Sequence, residues 1–252
     1  IAMGKKGTEI AKRAASLVLI DDDLSKMVDA VAMGRKIYTN LKKAIQYIIS
    51  IHIPIILTVF IPLMLGWVYP NIFSPVHIIL LELIMGPTCS IVYENEPMEP
   101  DAMRKKPRPF SSTFFRRREL STRVLQGLVI TAGTLICYQY AVSAMFSEAA
   151  VRTMTFTTLI TANIFLTLVN RSFFYSLFTT LRYKNNMVLI IMGATVFILF
   201  LILYVNPLTA FFSFERLNIH QLLLSISIGT ISVIWYEVVK WAKRKRIRKV
   251  SR

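Results

Sequence analysis

Six apolar runs, each about long enough to cross a bilayer, limit what this chain can fold into. They lie at about 44–66, 75–93, 124–146, 153–170, 187–205 and 219–239. A helix needs roughly 20 mostly apolar residues to cross the hydrocarbon core. No water is there to satisfy backbone N–H and C=O groups, so each run must satisfy them within itself, as a helix does. The expected fold class is mostly α: a polytopic membrane helix bundle of six spans behind a short N-terminal α/β stretch. Hydrophobic residues make up 54% of the sequence, too many for a soluble domain with its own polar surface.

The formal net charge is +16, and the cations sit between the apolar runs. The connection at 94–123 carries Arg104, Lys105, Lys106, Arg108, Arg116, Arg117, Arg118 and Arg123. Arg171, Arg182 and Lys184 lie between the fourth and fifth runs, and the tail from Lys240 is densely basic. The alternate connections hold only Arg152 and Arg216. Basic residues mark the cytoplasmic side of membrane proteins. The expectation is an integral, multi-pass protein with both termini cytoplasmic and membrane lipid as a partner. Because the cations abut spans and form no soluble basic face, no nucleic-acid partner is expected. Cys89 and Cys137 fall inside apolar runs, which suggests neither a disulfide framework nor a zinc motif. The first residues show no signal-peptide pattern and no initiator Met, so the sequence reads as a fragment.

The second run, PVHIILLELIMGPTCSIVYENE, is the unusual one. Glu82 lies inside it, and a carboxylate at that depth normally faces a protein interior or an ion path. Gly86 and Pro87 follow. Pro87 cannot donate to the carbonyl of Leu83, and a freed carbonyl is tolerated only where it faces protein or a water-filled cavity. Transporters coordinate small cations at helix breaks of this kind. The alternative is a kinked helix with Glu82 paired to a neighbour. Thr88, Cys89 and Ser90 lie one turn further on. In the first run, Pro54 frees the carbonyl of Ser50 in the same way, beside His52. The fourth run is rich in threonine and holds Asn163.

Residues 1–36 read as soluble. Thr8 to Leu17 has helical spacing, SLVLI at 16–20 reads as a short buried strand, and helical spacing resumes from Leu24 into the first span. Asp21 and Asp22 read as a strand stop, with Asp23 or Ser25 as the helix cap.

The opening IAMGKKGTEIAKRAASLVLIDDDLSKMVDAVAMGRKIYTNLKKAIQYIIS resembles a P-type cation-transporting ATPase of the calcium-pump-like group, where such a segment closes the phosphorylation domain and enters the fifth membrane helix. FLILYVNPLTAFF followed by LNIHQ resembles the loop after that family's ninth helix. The resemblance implies that 1–36 ends a haloacid-dehalogenase-like phosphorylation domain and that 37–252 is the transmembrane domain, helices five to ten. Under it, Asp21 and Asp22 match an acidic pair that follows the last strand of that phosphorylation domain. It implies an ATP-driven pump for a small inorganic cation, using Mg and ATP in the full-length protein, in the plasma membrane of a bacterium. The remaining partner is the missing N-terminal part of the same pump. The DKTG motif with the phosphorylated aspartate and the GDGVND segment are absent from this sequence. No catalytic residue is therefore expected in this stretch, no cofactor is expected to bind to it alone, and it should be inactive by itself. A channel or carrier, or a scaffold that keeps the fold without a working ion site, are the rival readings.

Calcium pumps take ligands from six positions in these helices, reading Asn, Glu, Asn, Thr, Asp and Glu. The matching positions here are His52 and Ile55, then Glu82, Met85 and Gly86, then Asn163. The expected ion-binding set is therefore Glu82 and Asn163, with His52, Thr88 and Ser90 and the carbonyls of Ser50 and Leu83, around breaks at Pro54, Gly86 and Pro87. One carboxylate suits a monovalent cation, or a divalent one bound with water, better than two dry calcium ions. Each member has a plainer role: His52 as a cross-helix hydrogen bond, Asn163 as interhelical glue, Cys89 as a small packing residue. Glu94, Glu96 and Glu99 read as solvated groups at the cytoplasmic mouth or as a cation funnel, and Glu237 with the tail cations as interface anchors.

Overall fold

The computed structural model describes residues 1–104, 106–107, 114–115 and 117–250, apart from the side chains of 246–250. The chain divides into two compact units, 1–40 with 97–112 and 41–96 with 113–252.

In the first unit, β1 (Ala2–Met3) pairs in parallel with β2 (Val18–Leu19), Ala2 opposite Val18 and Met3 opposite Leu19. Between them runs α1 (Glu9–Ala14), shorter than its spacing suggests because Ala15 turns extended. Thr8 starts it as a side-chain cap, its Oγ1 accepting from the Ala11 N–H. Asp22, with φ of 59°, accepts from the backbone N–H groups of Lys5 and Lys6 at 2.9 and 3.0 Å. Some desolvation pushes that carboxyl up, but these bonds and the Lys6 charge outweigh it and hold it below the usual carboxylate range. Asp23 caps the next helix by accepting from Ser25 N–H at 2.8 Å. Arg35 donates to Ala102 O at 2.6 Å, tying the 3-10 turn Ala102–Arg104 to the early turns of that helix.

The long helix is α2 (Ser25–Met64). It runs through Pro54 and Pro62 without interruption and stops before Gly66, whose φ of +60° is the left-handed conformation glycine adopts cheaply. The spans that follow are α3 (Pro75–Pro87) continued by a wide π turn (Thr88–Val92), α4 (Arg117–Ser143), α5 (Glu148–Asn170), α7 (Asn186–Tyr204) and α9 (Ile219–Val250). Short helices α6 (Leu177–Leu181) and α8 (Asn206–Phe211) cap the turns between them. Among the described residues, six helices are long and apolar enough to cross a membrane. Three start or end well outside their apolar run: α2 begins at Ser25, α4 begins at Arg117 and α9 continues into the basic tail, because cations do not stop a helix outside the hydrocarbon.

α5 is the centre of the second unit and packs against α4 and α9. Its threonines make this possible. Thr153, Thr155, Thr158 and Thr167 each donate to the carbonyl four residues back, so the hydroxyls enter the core already satisfied. Gly229 lets α9 approach closely; a Cβ there would lie 2.6 Å from Thr158 O. α7, by contrast, leaves Leu189, Ile190, Val196, Phe197 and Phe200 exposed, as suits an outer helix facing acyl chains.

Candidate functional site

Two helices carry most of the expected ion site, and each has two distinct faces. On α2, Tyr47, Ser50, Ile51, Pro54, Ile55 and Thr58 are buried, a 3–4 spacing that marks one stripe. Ile48, Ile56 and Phe60 lie on the other side and are exposed, with half-exposed His52 among them. On α3, His77, Leu80, Leu81, Ile84 and Met85 are buried, with Thr88 continuing the stripe, whereas Ile79, Glu82, Leu83, Gly86 and Ser90 are exposed.

The expected ligands divide along the same line. His52 and Glu82 meet on the open faces, with Nε2 3.2 Å from Oε1. The other ring nitrogen, Nδ1, is 2.9 Å from Ile48 O. Leu83 and Ser90 share the open face of α3, and Ser90 Oγ donates to Gly86 O at 2.9 Å. Ser50, Thr88 and Asn163 are buried on the inner side. Ser50 Oγ donates to Gln46 O, and its own carbonyl abuts α4, where a Cβ on Gly127 would lie 2.9 Å from it. Thr88 Oγ1 reaches Ile84 O at 3.4 Å. Asn163 Oδ1 accepts from Tyr47 OH at 2.5 Å, and Tyr47 stands against Tyr93, with ring centroids 5.4 Å apart. The set expected from the sequence is thus not one cluster.

The helix breaks take different forms. At Pro54 the helix is continuous. Pro87 is the last α residue of its span, and the wide turn after it absorbs the mismatch. Single π turns of this sort are frequent at functional sites.

The carboxylates beyond that turn correct an expectation. Glu96 is not solvated; it is fully buried and paired with Arg171, Nε to Oε1 at 2.7 Å. Asn185 donates to the same oxygen at 2.9 Å and to Val92 O at 3.0 Å, so the far end of the wide turn is held from two sides. Glu99 is also buried, and of the three only Glu94 is exposed. Lys240 likewise is no surface anchor. It is 1% exposed and donates to Val169 O and to Glu237 Oε1, both at 2.6 Å. Arg123 sits beside it, donating to Gln126, Asn170 and Tyr236 and stacking on Phe173 at 4.4 Å. Only a cation next to each of two distant spans hinted at these partners. At the opposite end of the bundle, Arg152 donates to Ile72 O and Ser213 O, and His77 joins Ser74 to Phe212 O.

A membrane bundle of six helices with an intramembrane carboxylate defines a class, and comparison narrows it. The family profile described as "Cation transporting ATPase, C-terminus" matches residues 70–242. A calcium-transporting ATPase of Listeria monocytogenes is 29% identical over 248 residues, covering 97% of this chain and 27% of that protein. Calcium-transporting ATPase 1 of Bacillus cereus is 38% identical over 138 residues, 55% of this chain and 15% of that protein. The human calcium-transporting ATPase type 2C member 1 is 26% identical over 246 residues, 98% of this chain and 27% of that protein. The chain belongs to the C-terminal family of cation-transporting P-type ATPases. It spans about a quarter of the length of the relatives it matches end to end.

Proposed function

We propose that this chain is the membrane portion of an ATP-driven cation pump and that the cation binds beside Glu82, on the open faces of α2 and α3. The observation that carries this is the His52–Glu82 pair, set within two apolar helices at 3.2 Å and, among the described residues, on the exposed side of both. A carboxylate in that position is costly unless it serves a partner or an ion. In this reading residues 1–36 end the phosphorylation domain and 37–252 form the transmembrane domain. α2 enters the first span without a break, which suits a rigid element with two discrete positions. The cation-rich connections and both termini face the cytoplasm, as the charge bias supports. We place the pump in a bacterial plasma membrane; two of the relatives above are bacterial.

Mg and ATP belong to the part of the relatives that this chain does not cover. The DKTG motif that carries the phosphorylated aspartate in the resembled family does not occur in this sequence, so the chain alone should take no acid-stable, hydroxylamine-sensitive label from labelled ATP. The test of function uses the full-length protein. Glu82→Gln should abolish or greatly weaken cation-stimulated ATP hydrolysis while the protein stays folded. Turnover at the wild-type rate would make Glu82 structural and favour the scaffold.

A further inference from the structure

At the end of the bundle that holds Arg152, His77 joins two connections. It is 3% exposed, in the first turn of α3. The backbone N–H of Ser74, just before that helix, donates to Nδ1 at 3.0 Å. The first N–H groups of a helix lack partners within it, and a glutamate or glutamine at the third helical position commonly supplies one. An amide N–H can only donate, so Nδ1 carries no hydrogen. The ring hydrogen is therefore on Nε2, which donates to Phe212 O at 2.7 Å. One bond closes the start of α3, and the other ties it to the segment after α8. Both exist together only in the neutral ring with this tautomer.

A second proton is poorly received. On Nδ1 it would point at the Ser74 N–H, two donors face to face. Ser74 Oγ, 2.7 Å from the same nitrogen, could accept it only by drawing the ring off the backbone amide. The new charge would also stand at the positive end of a helix. Phe73, Phe156, Phe212 and Phe214 wall the ring and offer no counter-charge. The charged groups on the segments packed against it are Arg152 and Glu148 of α5 and Glu215 and Arg216 after α8; the 67–74 connection adds only the titratable Tyr69. Arg152 holds Ile72 O and Ser213 O and pairs with Glu148. Glu215 accepts from Ser147, and Arg216 donates to Asn206. Among the described residues, both carboxylates are thus engaged away from the ring.

We infer that His77 is a pH-sensitive latch: neutral, it fastens the 212–215 segment to the start of α3, and on taking a proton it releases that segment. The topology proposed above puts the latch on the face away from the cytoplasm, where it answers to the pH outside.

Hydrogen exchange of the full-length protein in lipid nanodiscs, read by mass spectrometry and taken against intrinsic rates at each pH, is the test. The amides to follow are Phe212, Phe214 and Glu215, which donate to Leu208 O, Thr209 O and Thr153 Oγ1. Between about pH 8 and about pH 5, where histidine titrates, their protection in the wild-type protein should fall about fivefold, the scale of one hydrogen bond, while α5 keeps its protection. His77→Gln retains an acceptor and a donor that do not titrate, so its protection should be high and independent of pH. His77→Ala should be poorly protected at both ends of the range. Wild-type protection that does not change with pH, a fall of the same size in His77→Gln, or a His77→Ala protein as protected as wild type at the upper pH would overturn the latch. The pump reading fails separately, through the turnover of Glu82→Gln.

Discussion

Arg171→Met is expected to be among the most destabilising single changes in the bundle. The guanidinium is 2% exposed and Glu96 is 0% exposed. Removing the cation deletes a charge-assisted bond of 2.7 Å, while Asn185 still donates to the carboxylate at 2.9 Å. A hydrogen bond to a charged group contributes about 1.5–3 kcal/mol. Breaking a buried pair by removing one partner costs about 3–5 kcal/mol. The stacking of Arg171 on Tyr183, 5.9 Å from the ring centroid, adds little at that range. Reversible unfolding in mixed micelles with rising SDS fraction measures the change. The companion variant Glu96→Gln/Arg171→Met removes the buried negative charge as well, so it should be more stable than Arg171→Met alone. The exposed pair Lys12–Glu9 is the contrast; pairs of that kind contribute about 0–1 kcal/mol. A loss below about 1 kcal/mol for Arg171→Met, or a double variant that loses the sum of both singles, would refute the reasoning.

Gly127→Ala should cost about 1–3 kcal/mol by overpacking, since the new methyl would stand 2.7 Å from Ile53 Cβ and 2.9 Å from Ser50 O; micelle unfolding reads it, and a neutral result would mean that α2 and α4 can part. Lys184→Cys in a background without Cys89 and Cys137 should react with an impermeant thiol reagent only after the cells are opened, and Asn71→Cys from outside; the reverse pattern would invert the topology. Asp22 has its carboxyl held low in the folded chain, so its stabilising contribution is full above the ordinary carboxylate range and fades as pH falls through the folded value. The protection factors of the Lys5 and Lys6 amides, taken against their intrinsic exchange rates at each pH, should therefore fall on acidification, and Asp22→Asn should remove that pH dependence; protection that persists in acid would count against it. Equilibrium binding of radioactive calcium to the full-length protein at neutral pH should give fewer than two high-affinity ions per molecule, and two would overturn the single-site reading.

The number of spans and the continuity of α2 were legible in the sequence, because hydropathy and helical spacing are local signals. Which face of each span turns inward was not. In water a helix betrays its inner stripe by a polar outer one, but lipid asks for an apolar outer face too, so α7 reads the same all round. The polar pairings were hidden for another reason. Glu96 meets Arg171 across 75 residues and Tyr47 meets Asn163 across 116, and nothing short-range announces such partners. Glu96 beside a basic connection looked like a solvated charge; only the packing of the α5 terminus and Asn185 around it makes it a core residue.

The same packing decides what kind of ion site is available. Six positions matched those that bind calcium in the relatives' family, and the folded chain separates them. Ile55 and Met85 are buried and apolar. Asn163 sits inside as well, but its oxygen is given to Tyr47, and the nearby Ser50 carbonyl is closed off by α4 at Gly127. A calcium ion in that interior would have to break the Tyr47–Asn163 bond and would find no carboxylate there. The negative charge lies on the open face instead, at Glu82, with an imidazole in place of an amide beside it. In the proposed reading the single carboxylate therefore stands on the open face, while the inner positions are occupied by apolar packing at Ile55 and Met85 and by the Tyr47–Asn163 bond.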